Sequence, residues 1–235
     1  MYVLTIDQRG STSDVDRVPE LISDLARLTS ATFERSVGDE LQGVLDSAEQ
    51  VVDAALHALR GGHWYVGIGL GVVQLAPGAS PREGSGSAFV AARKAVELAK
   101  GAAGQVPLSV VAGTMGGDTR TPAQEGDMTS AHAQAVLRLI GRLVQQRTPA
   151  QWRVVDRLRA LEGGAGRHGG QKQVAGELGI TEQSVSRAVL RSGWQEEWAA
   201  RPAAAMLLDH AHALVAAGAR AQGTRAERAQ TEGDR

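Results

Sequence analysis

The segment QKQVAGELGITEQSVSRAVLR, residues 171–191, carries two apolar stripes at helical spacing, separated by a glycine. The first stripe ends at Leu178, and Gly179 follows where a helix stops and the chain turns through a positive φ. Ile180 is expected to fill the space between the two helices, and Thr181 predicts the N-cap of the second one. The stripes consist of Val174, Ala175, Leu178, Val185, Ala188 and Val189. The pattern indicates a helix-turn-helix, and the alternative is an ordinary packed helical hairpin.

The polar residues of the second helix lie away from its apolar stripe and indicate contacts with DNA. Long and hydrogen-bonding side chains at these positions can reach base edges and phosphates. We expect Gln183, Ser184 and Arg187 to contact bases, and Arg191 and Lys172 to contact phosphates. The predicted DNA-binding residues are Lys172, Thr181, Gln183, Ser184, Ser186, Arg187 and Arg191.

The composition bounds the class of protein. A length of 235 residues allows one large domain or two small ones, and aromatic residues make up only 3% of the chain, so its cores must be built from Ala, Val and Leu. The absence of cysteine excludes disulfides, thiolate metal sites and cysteine nucleophiles. A net charge of −1 shows that the whole chain is not a polycation. Because Met1 precedes a strand-like run and no apolar stretch has membrane-spanning length, we expect a cytoplasmic protein without a membrane partner.

The first half of the chain shows the order β-α-β-β-α-β-α-β, which predicts an α+β fold with helices covering an antiparallel-rich sheet. The expected strands are 2–7, 31–37, 41–45, 63–75 and 106–112, and the expected helices are 16–30, 46–60 and 86–100. A stretch rich in Gly, Thr, Pro and Asp, residues 113–130, predicts a loop. The predicted organisation is a first domain over 1–130, a linker helix over 131–147, a helical DNA-binding domain over 148–219 and a disordered tail over 220–235.

Two carboxylates of the first domain are candidate metal ligands. Asp7 ends the first strand and Asp39 lies in the turn of the predicted hairpin, and carboxylates at adjacent strand ends can share Mg²⁺ together with substrate phosphates. Gly10, Ser11 and Thr12 lie between a strand and a helix, where free backbone N–H groups can hold phosphates. The alternative is that Asp7 caps a helix and Asp39 fills a turn.

Short motifs occur in order over the first 100 residues. They are Asp7 with Gly10-Ser11, Asp16-Arg17, Gly38-Asp39-Glu40-Leu41-Gln42-Gly43, and the run from Ser87 to Arg93. The first and third resemble the metal motifs of class III nucleotidyl cyclases, and the whole series resembles the SatD-like family of bacterial proteins. The resemblance implies a nucleotidyl-cyclase domain with a ferredoxin-like palm, followed by an all-α winged-helix or helix-turn-helix domain. It implies metal binding by Asp7 and Asp39, and nucleotide binding by Gly10, Ser11, Thr12, Gly38 and Arg93.

The chain departs from active cyclases at two positions. Those enzymes use an Asn shortly before the helix Arg to orient the ribose, and a Lys before the Gly-Asp turn to read adenine. The corresponding residues here are Phe89 and Phe33. These differences oppose cyclisation but are compatible with binding of metal and triphosphate. Arg93 either stabilises phosphate charge or is a solvated helix residue.

Other conspicuous residues have structural interpretations. Gly67, Gly69 and Gly71 alternate within a strand and not at a strand-to-helix turn, so we expect close strand packing rather than a dinucleotide fingerprint. The tryptophans of the second half, Trp152, Trp194 and Trp198, are expected to be core residues of an aromatic-poor helical domain.

These observations favour a dimeric transcription regulator whose cyclase-like domain binds ATP or GTP with Mg²⁺ as an effector. An alternative is a metal-dependent nucleotidyl cyclase or nucleotide hydrolase that is localised by a helix-turn-helix. A third possibility is a binding module in which the cyclase-like domain is a dimerisation scaffold without a ligand.

Overall fold

The computed structural model describes residues 1–102, 104–113, 122–161 and 170–233. The first part of the chain contains five strands and three α-helices in the order that the sequence predicts. They are β1 (Tyr2–Gln8), α1 (Val18–Leu28), β2 (Phe33–Arg35), β3 (Glu40–Leu45), α2 (Ala48–Arg60), β4 (Trp64–Leu70), α3 (Ser87–Lys100) and β5 (Leu108–Ala112). The remaining helices are α4 (Pro122–Gln146), α5 (Pro149–Ala160), α6 (Gly170–Leu178), α7 (Glu182–Ser192) and α8 (Trp194–Gly233).

The strands form one mixed sheet in the order β2-β3-β1-β4-β5. The pairs β2–β3, β3–β1 and β1–β4 are antiparallel, and β4–β5 is parallel, as required by the α3 crossover between them. The α+β class and the antiparallel-rich sheet are therefore confirmed.

The two faces of the sheet are covered by different helices. Leu4 and Ile6 of β1 point into the large core, which α1, α2 and α4 complete. The other face carries α3, whose backbone lies directly on β4. A Cβ atom at Gly67 or Gly69 would collide with the backbone of α3, and one at Gly71 with Ser87. The glycines thus allow a helix to approach the sheet, which corrects the expectation that they serve close packing between strands.

Helix α4 begins at Pro122, so the predicted loop over 113–130 is wrong for residues 122–130, while 114–121 lie outside the described residues. Gly126 lies against Val215 of α8, and the small residue lets the two helices approach closely. This tertiary packing outweighs the weak helix propensity of the Gly and Thr residues in the segment. The helix also crosses residue 131, where the sequence predicted the start of a separate linker helix.

Helix α8 continues to Gly233 and passes through Pro202 without a break. The predicted disordered tail over 220–235 is therefore corrected for residues 220–233, which extend this helix. None of the described helices is long and apolar enough to span a membrane.

The sheet and the C-terminal helices share one buried hydrophobic cluster. Leu59 of α2, Ile140 of α4, Val155 of α5 and Leu208 of α8 all belong to it, each almost fully buried. The helices after α4 therefore share one continuous hydrophobic core with the sheet and its helices.

Candidate functional site

The predicted two-helix motif is formed by α6, a three-residue turn and α7. Gly179 has a φ of 64°, and the backbone N–H of Ile180 donates to the carbonyl oxygen of Ala175 at 3.0 Å, which closes the end of α6. Thr181 caps α7, because its hydroxyl oxygen accepts a hydrogen bond from the backbone N–H of Ser184 at 3.2 Å. The turn and the N-cap are therefore confirmed.

Four of the six residues of the apolar stripes are buried as expected, and the other two, Leu178 and Ala188, are half-buried and pack against the core. Val174, Ala175, Val185 and Val189 are at most 5% exposed and belong to the main core. Ile180 is 40% exposed, so the expectation that it fills the interhelical space is wrong. The inward residues of the two helices already close that space, and the turn presents Ile180 to solvent.

All seven predicted DNA-binding residues are exposed. The hydroxyl groups of Thr181 and Ser184 form a hydrogen bond within the cap, with their oxygens 2.9 Å apart, so they are less available to DNA. Gln183 and Arg187 are four residues apart on the face opposite Val185, where they share one stripe of α7. They are therefore the predicted residues best placed to reach a base edge.

Leu190 belongs to the same stripe and was missed by the sequence interpretation. It is 74% exposed, although it is a large apolar residue of a packed helix. It lies three residues after Arg187 and seven after Gln183, so the helical spacing alone places it between polar neighbours. An apolar side chain at such a position can contact the methyl group of thymine.

The C-terminal end of α7 is attached to the rest of the molecule by buried charges. Arg147, which follows α4, donates from Nε to the carbonyl oxygen of Ser192 at 2.8 Å and pairs through Nη2 with Glu197 of α8 at 2.8 Å. Arg159 of α5 also contacts Glu197, at 3.2 Å, and Arg201 of α8 contacts the same carboxylate. The exposed helix α7 is therefore fixed to α4, α5 and α8 at one end.

A second ion pair connects the helical part to the sheet part. Arg60 at the end of α2 donates two hydrogen bonds to Asp156 of α5, at 2.8 and 2.7 Å. Its guanidinium carbon lies 3.9 Å from the centre of the Trp152 ring. Trp152 and Trp194 are buried, as predicted, and Trp198 is half-buried; all three also stack with guanidinium groups.

The structure brings the candidate nucleotide-binding loops to the end of the sheet where β1 finishes and β3 begins, which is called the sheet edge below. Asp7 pairs with Glu40 in the β1–β3 register, and the N–H of Gln8 donates to the carbonyl oxygen of Asp39 at 3.2 Å. The hairpin turn is held by Arg35, which donates to the carbonyl oxygen of Gly38 at 2.7 Å and pairs with Asp16. The backbones next to Asp7 and at Asp39 therefore lie side by side, and the Gly10–Thr12 loop follows directly after β1.

The carboxylate of Asp7 is engaged by a lysine that the sequence interpretation missed. Nζ of Lys100, the last residue of α3, lies 2.9 Å from Asp7 and 2.9 Å from Glu97. Burial raises the pKa of Asp7, and the nearby Asp39 and Glu97 raise it further, while Lys100 opposes the increase. Burial would lower the pKa of Lys100, but its hydrogen bonds to Asp7 and Glu97 outweigh this and raise the pKa above its ordinary value.

Asp7 and Asp39 do not form an open metal site as they stand. Within the described residues, no group of three or more Asp, Glu or His side chains is arranged to hold a metal ion. Mg²⁺ bound at Asp7 would have to displace Lys100 from the carboxylate. A metal ion at this place would therefore require the Asp7–Lys100 pair to open and phosphate oxygens to supply further ligands.

Arg93 is exposed on α3, and its charge acts on the carboxylate of Glu40. Phe33 is buried in β2 against Gly43, and Phe89 packs with Val3 on the α3 side of the sheet. The two phenylalanines are therefore part of the packing and offer no polar group to a ribose or a base. Arg93 remains available to a phosphate.

Comparisons of the chain with protein-family models, with curated proteins and with solved structures gave no match. The functional interpretation therefore depends on the geometry of the exposed helix α7 and of the charged sheet edge.

Proposed function

We propose that this chain is a dimeric, cytoplasmic transcription regulator that binds double-stranded DNA through α7. The observation that carries the proposal is the capped turn between α6 and α7, which leaves the stripe of Gln183, Arg187 and Leu190 exposed. Arg pairs with the acceptors of guanine, Gln with the donor and acceptor of adenine, and Leu with the methyl of thymine. Arg191, next to Leu190 on α7, and Lys172, exposed on α6, would supply phosphate contacts. Dimers of helix-turn-helix proteins read half-sites about one helical turn apart.

The proposed effector is ATP or GTP with Mg²⁺ at the charged edge of the sheet. The order β2-β3-β1-β4 with antiparallel pairs supports a ferredoxin-like palm, the arrangement that the resemblance to nucleotidyl cyclases implies. Asp7 and Asp39 would hold the metal, and the Gly10–Thr12 loop with Gly38 and Arg93 would hold the phosphates. Lys100 supplies a further cation beside Asp7.

A connection between the sheet part and α7 supports regulation of DNA binding from the sheet part. The Arg60–Asp156 pair joins α2 to α5, and α5 packs on α7. A ligand that shifts α2 relative to α5 would therefore change the position of α7 within a dimer. Such coupling requires a different affinity of the nucleotide for the two arrangements.

The alternative function, a nucleotidyl cyclase or nucleotide hydrolase, is less well supported. The apolar residues Phe33 and Phe89 occupy the positions where active cyclases carry polar groups. The sensor function needs only binding, for which the charged residues of the sheet edge suffice.

The DNA-binding proposal is tested by selecting duplexes from a random library with the full chain and measuring their affinity by fluorescence anisotropy. We expect a selected sequence to bind at least tenfold more tightly than random duplex. Arg187→Ala should reduce this affinity about tenfold or more, the effect of losing one good base contact. Arg153→Ala, at an exposed position of α5, is the matched control and should keep the sequence preference. A library without any enriched sequence would refute the proposal.

The nucleotide proposal is tested by titrating ATP and then GTP into the protein with Mg²⁺ by calorimetry. The end-point mixture is then separated on a column. Saturable binding of unchanged nucleotide supports a sensor, and formation of a new product that Asp39→Ala abolishes supports an enzyme. Absence of binding by both nucleotides would leave the sheet domain as a scaffold.

A further inference from the structure

A groove of about 530 Å³ runs between α2 and α8. Its size is within the range of sites that bind small organic molecules. The apolar part of its lining comes from both helices, namely Val52, Trp198, Pro202, Ala205 and Met206. Val52 and Ala205 form a buried floor, whereas Met206 is 63% exposed at the rim. The groove lies apart from both sites described above.

The polar part of the lining is predominantly acidic. Glu49, Asp53 and Asp209 contribute three carboxylates, and Arg201 contributes one guanidinium group. Arg201 is already paired with Asp53 and with Glu197. The charges of Glu49 and Asp209 are therefore left without a cation within the groove.

Glu49 and Asp209 both lie near the hydroxyl group of Tyr2. The hydroxyl of Tyr2 donates a hydrogen bond to Asp209. Burial raises the pKa of Tyr2, and both Asp209 and Glu49 raise it further, which shows that the two carboxylates share its surroundings. Glu49 and Asp209, both exposed, therefore make the rim of the groove acidic beside its apolar floor.

Arg201 shows how a cation is accommodated in the groove. The guanidinium carbon of Arg201 lies 5.2 Å from the centre of the Trp198 ring, and Arg201 pairs with Asp53. The aromatic ring of Trp198 and the carboxylate of Asp53 together favour positive charge in the groove.

We propose that the groove between α2 and α8 binds an organic cation with an apolar body. The apolar body would lie on Val52, Ala205 and Met206, and the positive charge would lie near Glu49 and Asp209. This proposal does not depend on DNA or nucleotide binding, because none of these residues belongs to either site.

The test uses two probes of nearly the same shape and opposite charge, tetraphenylphosphonium and tetraphenylborate. Each is titrated into the full chain by calorimetry. We expect saturable binding of tetraphenylphosphonium with a dissociation constant of about 100 µM or lower, and no saturable binding of tetraphenylborate. Equal binding of the two probes, or no binding of the phosphonium, would overturn the proposal.

Two pairs of variants locate the binding. Met206→Arg places a fixed cation at the rim and should weaken phosphonium binding at least tenfold, whereas Leu139→Arg, at an exposed apolar position of α4, should leave it unchanged. Glu49→Gln should weaken binding about threefold, the effect of one partly exposed charge. Glu196→Gln, at an exposed position of α8, is its control. Phosphonium binding that survives Met206→Arg unchanged would place the probe elsewhere and overturn the proposal.

Discussion

The guanidinium of Arg147 lies 2.8 Å from the carboxylate of Glu197, and neither side chain is exposed to solvent. Glu197 also pairs with Arg159 and Arg201, so one buried carboxylate contacts three guanidinium groups at the junction of α4, α5 and α8. Nη1 of Arg147 and Nε of Arg159 are buried and have no hydrogen-bond partner in the described part of the chain. Removing Glu197 would therefore leave uncompensated positive charge in the core.

Glu197→Gln is expected to destabilise the protein by about 3 kcal/mol, the size observed when one partner of a buried ion pair is removed. Urea unfolding of the full chain measures this change. Glu196→Gln, at the neighbouring exposed position, is the control and should change the free energy of unfolding by less than about 0.5 kcal/mol. Equal effects of the two substitutions would show that the ion-pair cluster does not stabilise the junction.

Two glycines of the α6–α7 motif should respond to alanine with opposite signs. Gly179 has a φ of 64° and an open position for a Cβ atom, so Gly179→Ala adds backbone strain alone and should destabilise by about 1 kcal/mol. Gly176 is exposed within α6 and also has space for a Cβ atom. Gly176→Ala should stabilise by about 0.5–1 kcal/mol, because alanine favours a helix more than glycine does. Thermal unfolding of both variants checks the signs, and stabilisation by Gly179→Ala would contradict the turn.

The parts of the fold that follow from local patterns could be predicted from the sequence. The order of strands and helices over residues 2–112 follows from hydrophobic periodicity, and the cap at Thr181 and the turn at Gly179 follow from local backbone chemistry. The parts that depend on tertiary packing could not. The start of α4 at Pro122 and the extension of α8 beyond residue 220 run against local composition.

The candidate sites show the same division. Helical spacing correctly identified the exposed residues of α7, and the same spacing could have added Leu190. The engagement of Asp7 by Lys100 could not be read from the sequence, because 93 residues separate them and only the packing of α3 on β4 brings them together. Predictions of metal ligands from paired carboxylates are therefore incomplete until neighbouring cations are known.

Arg191 and Arg187 should have different effects on DNA binding. If Arg191 makes the proposed phosphate contact, Arg191→Ala is expected to weaken binding to all duplexes by a similar factor and to reduce the slope of log K against log salt by about 1. Arg187→Ala should mainly reduce the preference for the selected sequence over random duplex. Anisotropy titrations at several salt concentrations distinguish the two effects. If Arg191→Ala instead loses the sequence preference and keeps the salt slope, Arg191 contacts a base and not a phosphate.

The Asp7–Lys100 pair should give a pH-dependent contribution to stability. The pKa of Asp7 in the folded protein lies above its ordinary value of 3.8, so the folded state disfavours the ionised carboxylate, and Lys100 limits this penalty. Lys100→Met would raise the pKa of Asp7 further. Below about pH 3.8, Asp7 is protonated in the folded and the unfolded protein, so Lys100→Met should not change the free energy of unfolding through Asp7. The destabilisation should grow as the pH rises through the folded-state pKa of Asp7. At pH 7 we expect Lys100→Met to lower the free energy of unfolding by about 1 kcal/mol, a small value because Lys100 is partly exposed.

Urea unfolding of Lys100→Met between pH 4 and pH 7 measures this growth, and Lys100 itself stays protonated over the whole range because its pKa is raised. Lys94→Met, at another exposed position of α3, is the control and should show a difference from the natural chain that does not vary with pH. In an Asp7→Asn background, Lys100→Met should also lose its pH dependence, since the titrating carboxylate is gone. A pH dependence that persists in that background would assign the titration to another group, such as Glu40, whose pKa burial also raises.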